Sequence, residues 1–515
     1  MIEIKTGNRT WDEFIPIVSR FHDASLTVIE KNGKSVTGYH TPDCPWLWFR
    51  DNIHMMENTV YLLDEIRSMV DFMLETQNPD GSYFDYLAQD GSMLRVPTEA
   101  DLEYLAVIGV FRAWLATGDD EWMRSCIPAL ERGLNYMTSH PWRWDEKYRM
   151  PKRAFTIDTW DFDFRDGLEK LHWPGKIDHK THFGIMHGDV SGLFYAWTLM
   201  AQMLEHLGLK DEAGKYREKR KDIRESANKL LWNGRFYRHR LPLDGFTLAV
   251  VDEENQLSLS NPYDINRGLP TPDMARSIIR EYMRRRTETS AFAEWFSIDP
   301  PFPDRIFGDE KLKPGVYVNG GIMPLVGGEL AQAAFKYGFP EYGVDILKRY
   351  FEMIYSTGEA YLWYLPDGSP ATKEASTSPE AYPTDCWGSS AMASALIKGL
   401  AGVRTGKPGF EALWLEPRWI TADIDHAEVT LGYPSSGKKF RYIYTHYKSS
   451  QTTEIVIDST PLKALHVGVP EGVDDVEVEC CGKKLEIEIE NWELGRAFCI
   501  CDKIDKEIKI IFGIL

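Results

Sequence analysis

Thirteen residues, Phe155 to Gly167, read FTIDTWDFDFRDG and set Asp158, Asp161, Asp163 and Asp166 among Phe155, Trp160, Phe162 and Phe164. Four mutually repelling carboxylates amid rings make a poor core and an awkward surface loop. Apolar walls disfavour the charged form of a carboxyl group, so an acid held there keeps its proton to higher pH and can donate it to a leaving group. Flat rings are also the surfaces on which sugars stack. The alternative is a turn whose aspartates cap helices.

Chemistry at that loop needs a scaffold. The 515 residues exceed what a single core organises, so at least two domains are expected. The 17 Trp, 24 Tyr and 24 Phe exceed ordinary packing needs, although most rings belong to the core. A net charge of −19 repels nucleic acid and anionic membranes, so the expected partner is a neutral carbohydrate or another ligand that is not polyanionic. MIEIKTGNRTWDEF shows no secretory signal, and no apolar run reaches membrane-span length. Seven cysteines follow neither a disulfide framework nor a zinc spacing, which suits a reducing cytoplasm. No cofactor or metal is expected.

From about residue 55 to residue 403 the apolar period is helical. In TEADLEYLAVIGVFRAWLATG, Thr98 is positioned to cap a helix that Gly118 stops. DDEWMRSCIPALERGLNYMTSH follows at once, making an antiparallel hairpin. The grammar recurs: an apolar helix rich in small residues, then a charged one, predicts inner and outer layers of a helical toroid. Ten such segments are legible, whereas six hairpins require twelve. After GLAGVRTG, short alternating runs such as FRYIYTHYK and KLEIEIENW predict antiparallel β-structure. The expected architecture is mainly α: an N-terminal segment (1–40) packed on the barrel, a catalytic toroid (41–403), a linker (404–420) and a small C-terminal β-sandwich (421–515).

Unusual polar and aromatic residues gather where inner helices begin: PDCPWLWFRDN (42–52), RVPTEAD, the aspartate loop, HFGIMHGDVSG, PGVYVNGGIMP and SPEAYPTDCWGSS. Such clusters repeated around a ring describe one shared pocket. WLWFRDN, LLWNGRFY, VYVNGGIMPLVGGELAQAA and SPEAYPTDCWGSSAMASALIKGLAGV resemble, in the same order, segments of the six-hairpin (α/α)6-barrel glycoside hydrolases. The nearest likeness is to processing α-glucosidases and amylo-α-1,6-glucosidase domains. The β-region also resembles that of α-L-rhamnosidases, whose acidic motif is not evident here. The resemblance implies an inverting glycosidase acting on an α-glucoside or related oligosaccharide. One carboxylic acid then protonates the leaving oxygen, while a carboxylate roughly 6.5–9.5 Å away activates water.

Asp161 is taken as the acid, with Asp163 and Asp158 as rivals. The resemblance places the base at Glu380 of SPEAYPTD, where Tyr382 could hydrogen-bond it; Glu374 and Glu359 compete. Arg50 and Asp51 are expected as an ion pair at the funnel floor. Trp48, Trp160, Trp363 and Trp387 are stacking candidates or core. Asp189 either caps its helix or touches substrate. Asn319 sits beside glycines that let a ligand approach. Glu99 is read as first-turn decoration of a helix. A sugar epimerase using His172, His179, His182 and His187, or a non-catalytic carbohydrate-binding protein, would share the toroid without the carboxylate pair.

Overall fold

Helix punctuation in the sequence becomes helix ends in the structure, a computed structural model that describes every residue except 168, 171–172, 309, 376–380, 460–461, 474, 505–506 and 514–515. Asn8 caps α1 (Arg9–Ser25) through the Thr10 amide. α2 (Phe49–Thr59) and α3 (Ser68–Glu75) follow. α4 (Leu102–Thr117) ends on left-handed Gly118, and Asp119 at once caps α5 (Asp120–Ser139). Next come α6 (His187–His206), α7 (Lys210–Leu230) and α8 (Ser260–Arg267), then α9 (Pro272–Glu288), capped by Thr271. α10 (Pro324–Lys336) and α11 (Pro340–Thr357) both open on proline, whose missing N–H costs nothing there. Asp385 caps α12 (Cys386–Ala395).

The even-numbered helices touch one another in a closed cycle, α2 to α4, α6, α8, α10, α12 and back to α2. They are buried nearly all round, as α4 illustrates, whereas α7 buries only Ala213, Ile223 and Ala227. Close approach depends on glycine. A Cβ on Gly328 of α10 would lie 2.4 Å from the Ala391 carbonyl carbon of α12, and one on Gly192 of α6 would lie 2.3 Å from the Tyr104 ring of α4.

The two helices not legible in the sequence are α3, at eight residues hard to tell from a turn, and α1. The latter packs on α11 and α12, so the chain's beginning supplies the outer helix beside the last inner one. Trp11, Phe14 and Val18 of α1 are buried in the common core. No helix among the described residues is long and apolar enough to cross a membrane.

Two sheets follow the helices. One orders Ile2–Lys5, His426–Gly432, Lys439–Tyr447, Thr452–Ser459, Ile508–Gly513, Asp475–Cys480 and Lys483–Leu485. The other orders Val403–Thr405, Ala412–Leu415, Leu462–Val469, Gly495–Ile504 and Glu490–Trp492. The 404–420 stretch, expected to be a linker, thus lends two strands to the second sheet, and Ala412–Leu415 pairs in parallel with Leu462–Val469. Alternation is strict in Lys439–Tyr447, where Phe440, Tyr442 and Tyr444 point inward. Phe410 stacks on Tyr433, which stacks on Tyr61 beyond α2, fastening sheets to helices.

Candidate active site

The entrances of the inner helices converge on a narrow, open-mouthed cavity. α2 supplies Arg50 and His54; the start of α4 supplies Asp101 and Tyr104. The aspartate loop supplies Thr159 and Trp160, α8 supplies Ser260, Tyr263 and Arg267, and α12 supplies Trp387. Trp387 stacks on His54 at 5.2 Å between ring centroids, and Trp160 leans on Trp387 and Tyr317. A second groove, lined by Arg220, Lys221 and Arg224 of α7, lies on the outer layer away from these entrances.

A buried ladder of alternating charge supports this cavity. Arg50 donates to both oxygens of Asp101, at 2.5 and 2.9 Å, and meets Glu99 at 2.5 Å. Arg153 lies 3.3 Å from Glu99 and 3.4 Å from Asp189. The order Asp101–Arg50–Glu99–Arg153–Asp189 thus laces the entrances of α2, α4 and α6. Burial drives the Glu99 carboxyl well above its usual range despite Arg50 and Arg153. Burial likewise pushes Asp189 up to about 6, against Arg153. Asp101 faces the same desolvation, but Arg50 outweighs it and holds the carboxyl low.

The ladder also holds the aspartate loop. Arg153 donates to the Trp160 carbonyl at 2.7 Å, and the Thr98 hydroxyl donates to the Asp161 carbonyl at 2.9 Å. Thr98, expected as a helix cap, is therefore a loop tether, and α4 begins after Asp101. The half-buried Asp161 side chain accepts from the Trp173 indole at 2.6 Å. Desolvation raises its pKa, and Arg50 and the indole bond only partly restrain the shift. Beside it the rings of Trp46, Trp48, Tyr86 and Trp173 form one cluster; Tyr86 stacks on Trp46 at 4.8 Å and on Trp173 at 6.4 Å and lies tilted 4.8 Å from Trp48.

The other aspartates of the quartet do different work. Asp158 is 1% exposed, in the left-handed region (φ 46°), and accepts the Ser260 hydroxyl at 2.5 Å and the Ser260 amide at 3.1 Å. Burial opposes its ionisation, yet His187 and the hydroxyls of Ser258 and Ser260 keep its carboxyl below the usual value. Asp163 is buried against Arg165 at 2.8 Å, and Asp166 is exposed, 3.5 Å from His182. Asp161 is half-buried with a raised pKa and follows Trp160, which lines the cavity.

Further expectations meet specific placements. The partners of Arg50 are Asp101 and Glu99 rather than its chain neighbour, and Asp51 lies 3.9 Å from His40. Trp363 is wholly buried and offers a sugar no face. Asn319, 1% exposed, spends its amide on the Phe302 amide and carbonyl and the Leu312 carbonyl, knitting a loop instead of lining the pocket. Asp189 is a buried rung of the ladder. Glu380 lies outside the described residues; Tyr382 is half-buried, edge-on to His40 at 6.1 Å. Of the rivals, Glu359 accepts the Thr384 and Ala360 amides and Glu374 is exposed. His172 also lies outside the described residues. His187 pairs with Asp264 at 2.5 Å, His182 with Asp244 at 2.6 Å, and His179 is exposed, so these three share no cavity. Sequence reasoning missed Arg153, Asp101 and Arg267, for which no motif exists; Glu99 was noticed but given no role.

No family model and no curated protein matches the sequence. Solved structures do. An α-L-rhamnosidase from Dictyoglumus thermophilum aligns with a TM-score of 0.62 at 12% identity, covering 100% of this chain and 51% of its own. One from Streptomyces avermitilis, complexed with L-rhamnose, aligns at 0.60 and 12%, covering 99% and 42%. A GH63 mannosylglycerate hydrolase from Thermus thermophilus aligns at 0.52 and 13%, covering 75% of this chain and 99% of its own. This chain thus spans about half or less of the two rhamnosidases, and its fold is one that glycoside hydrolases use.

Proposed function

We propose that this protein is a glycoside hydrolase in which Asp161 is the general acid. The observation that carries the reading is the setting of Asp161: it follows Trp160, which lines the central cavity, and it is half-buried beside a cluster of aromatic rings, its pKa raised by burial and its loop tied down by Arg153 and Thr98. Its proton passes to the glycosidic oxygen as the bond to the anomeric carbon breaks. Glu380, on the segment leading into α12, is proposed as the base that takes a proton from water attacking the opposite face, which inverts the configuration. The Arg50–Asp101 pair at the cavity wall is available to sugar hydroxyls, and Trp387 and Trp160 to the ring faces. The fold shared with rhamnosidases and a GH63 hydrolase supports this chemistry.

Proton NMR of the first-formed anomer tests it, with aryl α-glucosides first, then α-L-rhamnosides and 2-O-mannosylglycerate. Inversion by the wild type is expected. Asp161→Asn should lower kcat roughly 10²–10⁴-fold while ligand still binds. Retention of configuration, or an Asp161→Asn enzyme of wild-type rate, refutes the assignment.

A further inference from the structure

Arg267, on the last turn of α8, has an unusual position among the charges facing the cavity. Arg50 and Asp101 neutralise each other, and burial, with Arg267 and Arg112 nearby, holds His54 well below its ordinary pKa and so uncharged. Arg267, by contrast, lines the cavity without an ion pair among the described residues. Its guanidinium lies between the rings of Tyr104 and Tyr263, 5.3 Å from each centroid, which fixes its plane. Nη1 donates to the Gly188 carbonyl and the Ser191 hydroxyl, both at 3.0 Å.

No carboxylate among the described residues forms an ion pair with it. The two nearest in electrostatic reach are engaged elsewhere: Asp264 holds His187, and Glu329 accepts the Asn266 amide at 2.5 Å. Nε and Nη2 of this cavity-lining residue have no acceptor among the described residues, and together they form a planar two-donor fork that matches a carboxylate side-on. Ser260 marks the entrance of α8, and seven residues at about 1.5 Å each put the Arg267 backbone roughly 10 Å further in. Its side chain leans back toward the mouth, as helical side chains do.

We infer that Arg267 seats a carboxylate carried by the sugar at the deep end of the cavity, so that the substrate is an acid-bearing glycoside such as a hexuronide. The inference rests on the proposal that this cavity binds glycosides, and it replaces the neutral carbohydrate expected from net charge with a monoanionic one. A surface at −19 repels a polyanion, whereas a single carboxylate meets in Arg267 a cation with no ion pair among the described residues.

Binding separates this inference from the hydrolase proposal, because it needs no turnover. Calorimetric titration of the wild type would compare methyl α-D-glucuronide, galacturonide and mannuronide with methyl α-D-glucoside, galactoside and mannoside. At least one acid sugar should bind ten-fold or more tighter than its neutral partner. Arg267→Gln should abolish that advantage while changing neutral-sugar affinity less than three-fold. Arg267→Lys should retain part of it, having the charge without the fork. Neutral sugars binding as well as every acid partner, no acid sugar binding, or an advantage that survives Arg267→Gln overturns the inference. If Arg267→Gln fails to fold, the wild-type ratio still decides. Acid sugars bound through Arg267 but never hydrolysed would sink the hydrolase proposal instead.

Discussion

Replacing Arg153 with methionine removes the cation in the middle of the buried ladder while keeping much of its volume. Arg153 is wholly buried, as are the two carboxylates it separates, Glu99 at 3.3 Å and Asp189 at 3.4 Å. At an effective dielectric constant near 20, the contact with ionised Asp189 is worth about 5 kcal/mol of attraction, most of it offset by desolvation, while Glu99, driven well above its usual range, adds less. Removing one partner leaves the desolvation in place, so Arg153→Met should destabilise the protein by about 3–5 kcal/mol at pH 7.5. The loss should depend on pH. Asp189 titrates at about 6 in the fold against an ordinary 3.8, so the native state holds its proton where the unfolded chain has released it. The wild type thus loses about 3 kcal/mol from this group as pH rises from about 4 through 6. In the variant Glu99 and Asp189 lose a charge that restrained them, and both rise further. At pH 5 they protonate at little cost, and the destabilisation should fall below half its value at pH 7.5. Urea unfolding followed at 222 nm at both pH values measures this. A difference under 1 kcal/mol at pH 7.5, or one equal at both, would refute the ladder as a functioning unit.

Trp173→Phe removes a hydrogen bond to the ionised form of Asp161, so the alkaline limb of kcat/KM should move to higher pH; an unmoved limb separates Asp161 from the rate profile. Trp363→Ala should cost about 3–5 kcal/mol of stability with KM unchanged, whereas Trp48→Ala at the rim should raise KM at least five-fold with under about 1 kcal/mol lost. Urea unfolding with kinetics on one substrate distinguishes the two, and reversed outcomes would exchange their roles. Deleting residues 1–25 strips α11 and α12 of Trp11 and Phe14 and should give an aggregating product that binds hydrophobic dye; a soluble, cooperative truncation would show α1 dispensable.

Helices α4 to α12 were legible because amphipathic period and capping residues are signals carried within one or two turns. Thr271 with Pro272, Gly118 and Asp119 act on their own neighbours, and the structure uses them that way. The entrances were legible for the same reason, since rings and acids crowd where each helix begins. The different surroundings of the four aspartates were not. Asp158 and Asp161 have nearly the same local surroundings in sequence, and what separates them is Ser260 and His187 on one side and Trp173 and Arg50 on the other.

Period, capping and strand alternation, all local, settled what kinds of element this chain forms and where chemistry collects. Completion of the outer layer by α1, which joins residue 9 onward to a helix near residue 390, left no periodic trace beyond its own amphipathicity. The pairing of Arg50 with Asp101 and of Arg153 with Glu99 spans 51 and 54 positions. Charges that far apart meet only once helices have packed, and a buried carboxyl takes its pKa from those partners, so the environments of Glu99, Asp161, Asp189 and Arg267 were decided by tertiary structure alone.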